Sequence, residues 1–188
     1  LSNALQLQPL SDDQLETVLA GHPELLAAIR EDIELADLFK TPLIMSLFAF
    51  AWDEIPTEKR SAMAGQVMAP GDVRDTLLEA FIRKRYEFEE RREQMRGATL
   101  PFTYQDMIDI LGELAMWNAQ VLRPEKSFFD RDGSKPEDNV LIPYDFEYVV
   151  KDAERAEQLK QITTHLNILA PINETDYRFV HLLLRDFL

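Results

Sequence analysis

The pattern of apolar and polar positions predicts a chain built mainly from α-helices. Between residues 12 and 118, apolar side chains recur at intervals of three and four, which places them on one face of a helix. Helix-start signals precede three of these segments. Ser11 and Gln14 have capping-box spacing, Thr41 precedes a proline at the first helical position, and Thr103 precedes another apolar stripe. We therefore expect helices that begin at about residues 12, 42 and 104.

The longest periodic segment, from Asp72 to about Arg96, predicts the longest helix. Its apolar stripe consists of Leu77, Leu78, Phe81, Ile82, Phe88 and Met95. Basic runs at residues 83–85 and 91–92 alternate with acids, and several opposite charges are four residues apart. This interleaving favours a solvated helix face over a nucleic-acid-binding stripe.

The two ends of the chain carry strand patterns. Residues 5–8 alternate apolar and polar and are closed by Pro9. After a helix predicted from about Ala153 to Asn167, residues 166–172 and 177–180 flank a polar turn and predict a β-hairpin. His181 then opens a last helix. We therefore expect a mainly α fold, with a helical subdomain followed by a winged-helix-like subdomain that contains a small C-terminal β-hairpin.

Composition narrows the classes of partner and compartment. The chain has 188 residues, and 34 acidic against 20 basic side chains give a formal net charge of -14. This charge argues against duplex DNA or an anionic membrane, because phosphate binding depends on clustered Lys and Arg. The chain has no cysteine, which excludes disulfides and thiolate metal sites. The start of the sequence lacks the basic segment and the long apolar run of a signal peptide, so we expect a cytoplasmic protein.

Enzyme signatures are missing from the sequence. It contains no GxxxxGK[ST], GxGxxG, GxSxG or HExxH pattern, and its three histidines are scattered. Residues 130–134 resemble a calcium loop, but their glycine stands at the fourth position rather than the sixth, which favours a solvated turn. We therefore predict no catalytic residue and no metal ligand.

Two residues have both a structural and a functional interpretation. His181, at a strand-to-helix junction, either caps that junction or adds a donor to helix N–H groups that suit a phosphate. Pro42 either only starts a helix or also forms a rigid apolar wall against a flat base. The residue types alone leave both alternatives open.

Three short segments, taken in order, resemble the region after the nucleotide-binding core of NACHT-type STAND signalling NTPases. Residues 7–11 (LQPLS) are similar to that family's LxPLS segment, and residues 41–47 (TPLIMSL) to its (T/N)PLxLxLL segment. Residues 177–188 (YRFVHLLLRDFL) are similar to the line YxFxHxxxxxFL that ends its winged helix. The order and spacing of these segments cover almost the whole chain.

The resemblance implies a layout and two nucleotide contacts. Residues 1–10 would end a preceding nucleotide-binding core strand, 11–98 would form the helical subdomain, and 99–188 the winged-helix-like subdomain. Pro42 would pack near the adenine base, and His181 would touch the β-phosphate of bound ADP.

The resemblance also implies a role for the whole segment. It would be a regulatory lid that closes over ADP or ATP, bound with magnesium in an intact parent chain. Its partners would be the preceding core and other protein domains, with an oligomer in the active state. The chain begins without Met and ends in mid-pattern, so we expect a piece of a longer protein that has no catalytic activity alone.

Two other functions stay open at the level of sequence. One is a structural, all-helical protein-interaction module. The other is a winged-helix regulator that binds DNA, which the charge disfavours.

Overall fold

The computed structural model describes residues 8–65, 67–119 and 140–188, without the side chains of 182 and 183. The predicted strand at residues 5–8 and the predicted loops within 120–139 therefore lie largely or wholly outside the described residues. The chain forms two compact units, Leu1–Lys84 and Arg85–Leu188. The predicted subdomain boundary between residues 98 and 99 stays a prediction.

All regular secondary structure in the described residues of the first unit is helical. Its elements are α1 (Asp12–Val18), α2 (Pro23–Glu31), α3 (Ile33–Phe39), α4 (Pro42–Ala51), a 3-10 turn (Trp52–Glu54), α5 (Thr57–Ala64) and the first part of α6 (Pro70–Met95). The start of α1 follows its prediction, since Ser11 and Gln14 form a reciprocal capping box. The segment after Gly21 divides into the pair α2 and α3 because Asp32 ends one helix and caps the next.

Helix α4 supplies much of the core of the first unit, as its composition predicted. Its buried residues are Ile44, Met45, Leu47, Phe48 and Ala51. The ring of Phe48 contacts the rings of Phe39, His22 and Trp52, at centroid distances of 5.8, 5.2 and 4.7 Å. These contacts join α3, the start of α2 and the end of α4 into one aromatic cluster.

The second unit is winged-helix-like. After the end of α6 it contains α7 (Tyr104–Asn118), β1 (Val140–Leu141), α8 (Pro143–Val150), α9 (Ala153–His165), β2 (Leu169–Pro171), β3 (Tyr177–Phe179) and α10 (Leu182–Phe187). The described strands form an antiparallel sheet in the order β1-β3-β2. The hairpin of β2 and β3 confirms the prediction, and its turn is fixed by Asn173, whose side-chain oxygen accepts two backbone N–H groups.

Helix α8 and strand β1 were not predicted from the sequence. Helix α8 starts at Pro143 and packs against both α7 and α9. Asp145 is fully buried, accepting a hydrogen bond from the backbone N–H of Ile142 at 2.8 Å and another from the indole of Trp117 at 2.9 Å. One carboxylate thus caps α8 and fixes it to α7.

The predicted apolar stripe of α6 is wrong in its C-terminal half. Phe88 and Met95 are 58% and 82% exposed, while Tyr86 and Glu89 are buried. Tyr86 is held inside by a hydrogen bond from its hydroxyl to the carbonyl of Phe102 at 2.8 Å, and Glu89 by an ion pair with Arg92. The buried face of this segment therefore includes polar side chains, which apolar spacing does not predict.

Among the described residues, no helix combines the length and the apolar character that crossing a membrane requires.

Candidate functional site

Pro42 lies at the first position of α4, where the sequence placed it. Thr41 occupies the N-cap position with extended backbone angles, but its hydroxyl donates to the carbonyl of Asp37 at 3.4 Å rather than capping α4. Pro42 is half-buried, and its carbonyl accepts a hydrogen bond from the Ser46 hydroxyl at 2.9 Å. Part of Pro42 therefore stays accessible to solvent.

The segment before α1 is fixed beside this helix start. The N–H of Leu10 donates to the carbonyl of Lys40 at 2.8 Å, across thirty residues of sequence. The Lys40 ammonium lies 3.0 Å from a carboxylate oxygen of Asp12. The described part of the LQPLS segment and the TPLIMSL segment are therefore neighbours within the first unit.

His181 lies at the predicted junction between β3 and α10, and its side chain is exposed. The residue before it, Val180, is held to the sheet by an N–H donated to the carbonyl of Ile168 at 2.9 Å. The carbonyl of His181 accepts from the N–H groups of Leu184 and Arg185, at 3.0 and 3.4 Å. The backbone of His181 is thus fixed between a strand and a helix, with its imidazole at the surface.

Helix α10 is held on the second unit by a close backbone approach. Gly112 in α7 has no side chain, and the carbonyl oxygen of Leu188 lies close to it. A Cβ at this position would be only 3.1 Å from that oxygen. Leu184 is buried on the inner side of α10. The position of the helix that follows His181 therefore depends on a residue without a side chain seventy positions earlier.

Lys160 and Tyr177 lie close together beside the sheet. The ammonium of Lys160 lies 5.0 Å from the ring centroid of Phe146 and 5.8 Å from that of Tyr177. Burial raises the pKa of Tyr177 above its usual 10.0, and the carboxylate of Glu157 adds to that rise. Lys160 is therefore engaged with aromatic rings and Tyr177 keeps its proton.

Pro42 and His181 belong to different units. In the described ranges, no group of three or more potential metal ligands occurs. The calcium-like residues 130–134 lie outside those ranges.

The basic runs of α6 are engaged as the interleaved acids indicated. Arg83 pairs with Glu79, and Lys84 with Glu54. Arg85 donates from its Nε to the carbonyl of Leu166 at 3.3 Å. Residues 83–85 therefore have a structural role within the protein. These contacts leave little reason to assign them to binding a nucleic-acid backbone.

Sequence reasoning missed one feature with potential chemistry, a cavity beside Arg92 in the second unit. It is formed by residues of α6, of the connection at 99–101 and of α9. The pair of buried Glu89 and partly exposed Arg92 had only a weak sequence signal. Its three-residue spacing on a helix is shared by many exposed pairs. Comparisons with protein-family models, curated proteins and solved structures found no match to this chain.

Proposed function

We propose that this chain is the regulatory lid of a NACHT-type STAND NTPase. In the intact protein it closes over ADP or ATP held by a preceding nucleotide-binding core, and it transmits the nucleotide state to other protein domains. Pro42 packs near the base and His181 contacts the β-phosphate. The chain itself supplies no catalytic group.

The observation that carries the proposal is the position of His181. The segment that resembles the end of the family's winged helix becomes β3, a fixed junction and α10 in a winged-helix-like unit. The imidazole is exposed there, on a backbone fixed from both sides. An exposed donor on a fixed backbone suits an anionic ligand supplied by another part of the protein, because binding then costs little backbone conformational entropy.

The first unit adds a second, independent support. The contact between Leu10 and Lys40 places the entry segment next to the start of α4. A chain that arrives from a preceding core would therefore pass close to Pro42. The accessible part of that proline is where the resemblance requires an apolar wall for the base.

A DNA-binding role is not favoured by the helix at the recognition position, α9. Its basic residues both lie against aromatic rings, Lys160 beside Phe146 and the guanidinium of Arg155 at 5.0 Å from the ring of Phe102. Glu154 and Glu157 balance their charge. Phosphate binding depends on clustered, available cations, and α9 does not present them.

The test uses the intact protein that contains the preceding core. Replacing His181 with Ala should weaken ADP binding about tenfold, the effect of losing one hydrogen bond to a charged group. Isothermal titration calorimetry with ADP measures it. Pro42→Ala should weaken ADP and ATP equally, because the base is the same in both.

Glu174→Ala is the matched control, since it changes an exposed residue at the other end of β3 and should leave ADP affinity unchanged. Unchanged ADP affinity in His181→Ala would overturn the role given to that residue. An intact protein without a phosphate loop before Leu1 would overturn the whole proposal.

A further inference from the structure

A small cavity lies in the second unit between the C-terminal turns of α6 and α9, beside the connection from α6 to α7. Its volume is about 180 Å³. Its uncharged lining mixes polar and apolar side chains: Thr99, Gln158, Gln161, Leu100, Pro101 and Ile162. The remaining wall is made of charged or titratable residues.

The guanidinium of Arg92 in this wall forms an ion pair, and one of its N–H groups has no acceptor. Its Nη2 lies 2.6 Å from a carboxylate oxygen of Glu89, whose side chain is 9% exposed. Its Nε is buried and has no hydrogen-bond acceptor among the described residues. The nearest carboxylate oxygen of Glu93 is 3.8 Å away, too far for a hydrogen bond. A buried donor without an acceptor is unfavourable, so a ligand oxygen at this place would be stabilising.

The charges around the cavity restrict the ligand to a neutral one. Glu89 and Glu93 outweigh the single charge of Arg92 and would repel a carboxylate or a phosphate. A cation has no lone pair to accept the hydrogen bond from the Nε of Arg92. His165 completes the titratable lining. Thr99 and the two glutamines can both donate and accept hydrogen bonds. A ligand with one strong acceptor and an N–H donor therefore matches the wall better than a ligand of either charge.

We propose that the cavity is a binding site for a carboxamide group, whose oxygen accepts from the Nε of Arg92. The amide N–H₂ donates to the oxygens of the glutamine or threonine side chains, and the alkyl part lies against Ile162. The group belongs either to a free small amide or to an Asn or Gln side chain of another polypeptide. The site is independent of the proposed nucleotide-dependent function.

The test titrates the 188-residue chain, labelled with ¹⁵N, with propionamide and follows its NMR spectrum. The arginine Nε–H signals are resolved from the amides, so the signal of Arg92 reports the new hydrogen bond directly. We expect this signal and that of Thr99 to shift with saturation, at a dissociation constant on the order of 1 mM for so small a ligand. Propionate, which has the same shape and a negative charge, should bind at least tenfold more weakly.

Two variants and one control separate the site from general effects. Arg92→Lys keeps the positive charge and removes Nε, and should weaken propionamide binding about tenfold. Gln158→Met keeps the side-chain length without the amide, and serves if the lysine variant does not fold. Arg91→Lys, on an exposed side chain of the same helix, should bind propionamide like the parent chain.

A second ligand, N-acetyl-glutamine-N-methylamide, distinguishes the two sources of the amide. Binding at least as tight as that of propionamide assigns the site to a polypeptide side chain, and much weaker binding assigns it to a free small amide. Equal responses to propionamide and propionate overturn the proposal. So does binding that is unchanged in both Arg92→Lys and Gln158→Met, or no saturable shift up to about 50 mM, far above the expected constant.

Discussion

The two units of this protein are stabilised by different kinds of contact. In the first unit, apolar helices pack through an aromatic cluster centred on Phe48. In the second, side-chain hydrogen bonds join separate elements: Trp117 donates to Asp145, Asn118 to the carbonyl of Val140, and Tyr86 to that of Phe102. The first kind of contact is non-directional and tolerates small shifts, whereas the second depends on individual atoms.

This difference explains which parts of the fold were predictable. Apolar spacing predicted the helices of the first unit because burial of an apolar face is what forms them. The same spacing missed β1 and α8, which are fixed by Asn118 and Asp145 rather than by a long apolar stripe. Each tryptophan lies in one unit, Trp52 in the first and Trp117 in the second, so their indole N–H signals report on the units separately.

The largest effect should come from removing the centre of the aromatic cluster. Phe48→Ala should lower the free energy of unfolding of the first unit by about 4 kcal/mol, since it removes a buried ring and leaves a cavity. Urea unfolding followed at the indole signal of Trp52 measures it. Phe50→Ala, in the same helix but 38% exposed, should cost clearly less. Equal losses in the two variants would contradict the central role of Phe48.

The corresponding change in the second unit replaces one buried carboxylate. Asp145→Ala should cost about 3 kcal/mol, because the Ile142 N–H and the Trp117 indole both lose their acceptor. Urea unfolding followed at the Trp117 signal is the measurement. Asp109→Ala, exposed on α7, should change stability by less than about 0.5 kcal/mol. If Asp145→Ala were equally mild, α8 would be held by apolar packing instead.

The smallest effect is the most diagnostic, because it depends on pH. Burial raises the pKa of Tyr86 above 10.0, and the carboxylates of Glu90 and Asp106 raise it further. The folded chain therefore keeps this proton where the unfolded chain releases it. Its contribution to stability is complete below about pH 10 and is lost as the pH rises through the higher, folded-state value.

Tyr86→Phe should therefore cost about 1 kcal/mol at neutral pH, through the lost hydrogen bond to Phe102. It should also reduce the decline of stability as the pH rises above about 10. Urea unfolding across this range tests both effects. Tyr144→Phe, with a ring that is 44% exposed, should keep the decline of the parent chain. An unchanged decline in Tyr86→Phe would show that this tyrosine does not set the alkaline limit.

The candidate contacts show the same division between local and long-range information. The sequence located Pro42 at a helix start and His181 at a strand-to-helix junction, because caps, prolines and hairpin turns act over a few residues. Their assignment to a nucleotide rests on the resemblance and stays a prediction. The close approach of Leu188 to Gly112, and the buried Nε of Arg92 at the cavity, had no local signal.

By itself, the sequence determined the mainly helical class, most helix starts and the C-terminal hairpin. The end of α9 is one example: Asn167 has φ at 61°, its N–H donates to the carbonyl of Thr164, and the N–H of Ile168 donates to that of Thr163, so only neighbouring residues end the helix. The tertiary structure alone decided which face of α6 is buried near Tyr86. It also decided where α8 sits and where a charged donor lines a cavity. Local signals act between residues a few positions apart, whereas these features depend on partners distant in sequence, such as Phe102 for Tyr86 and Trp117 for Asp145, and no periodicity records such pairs.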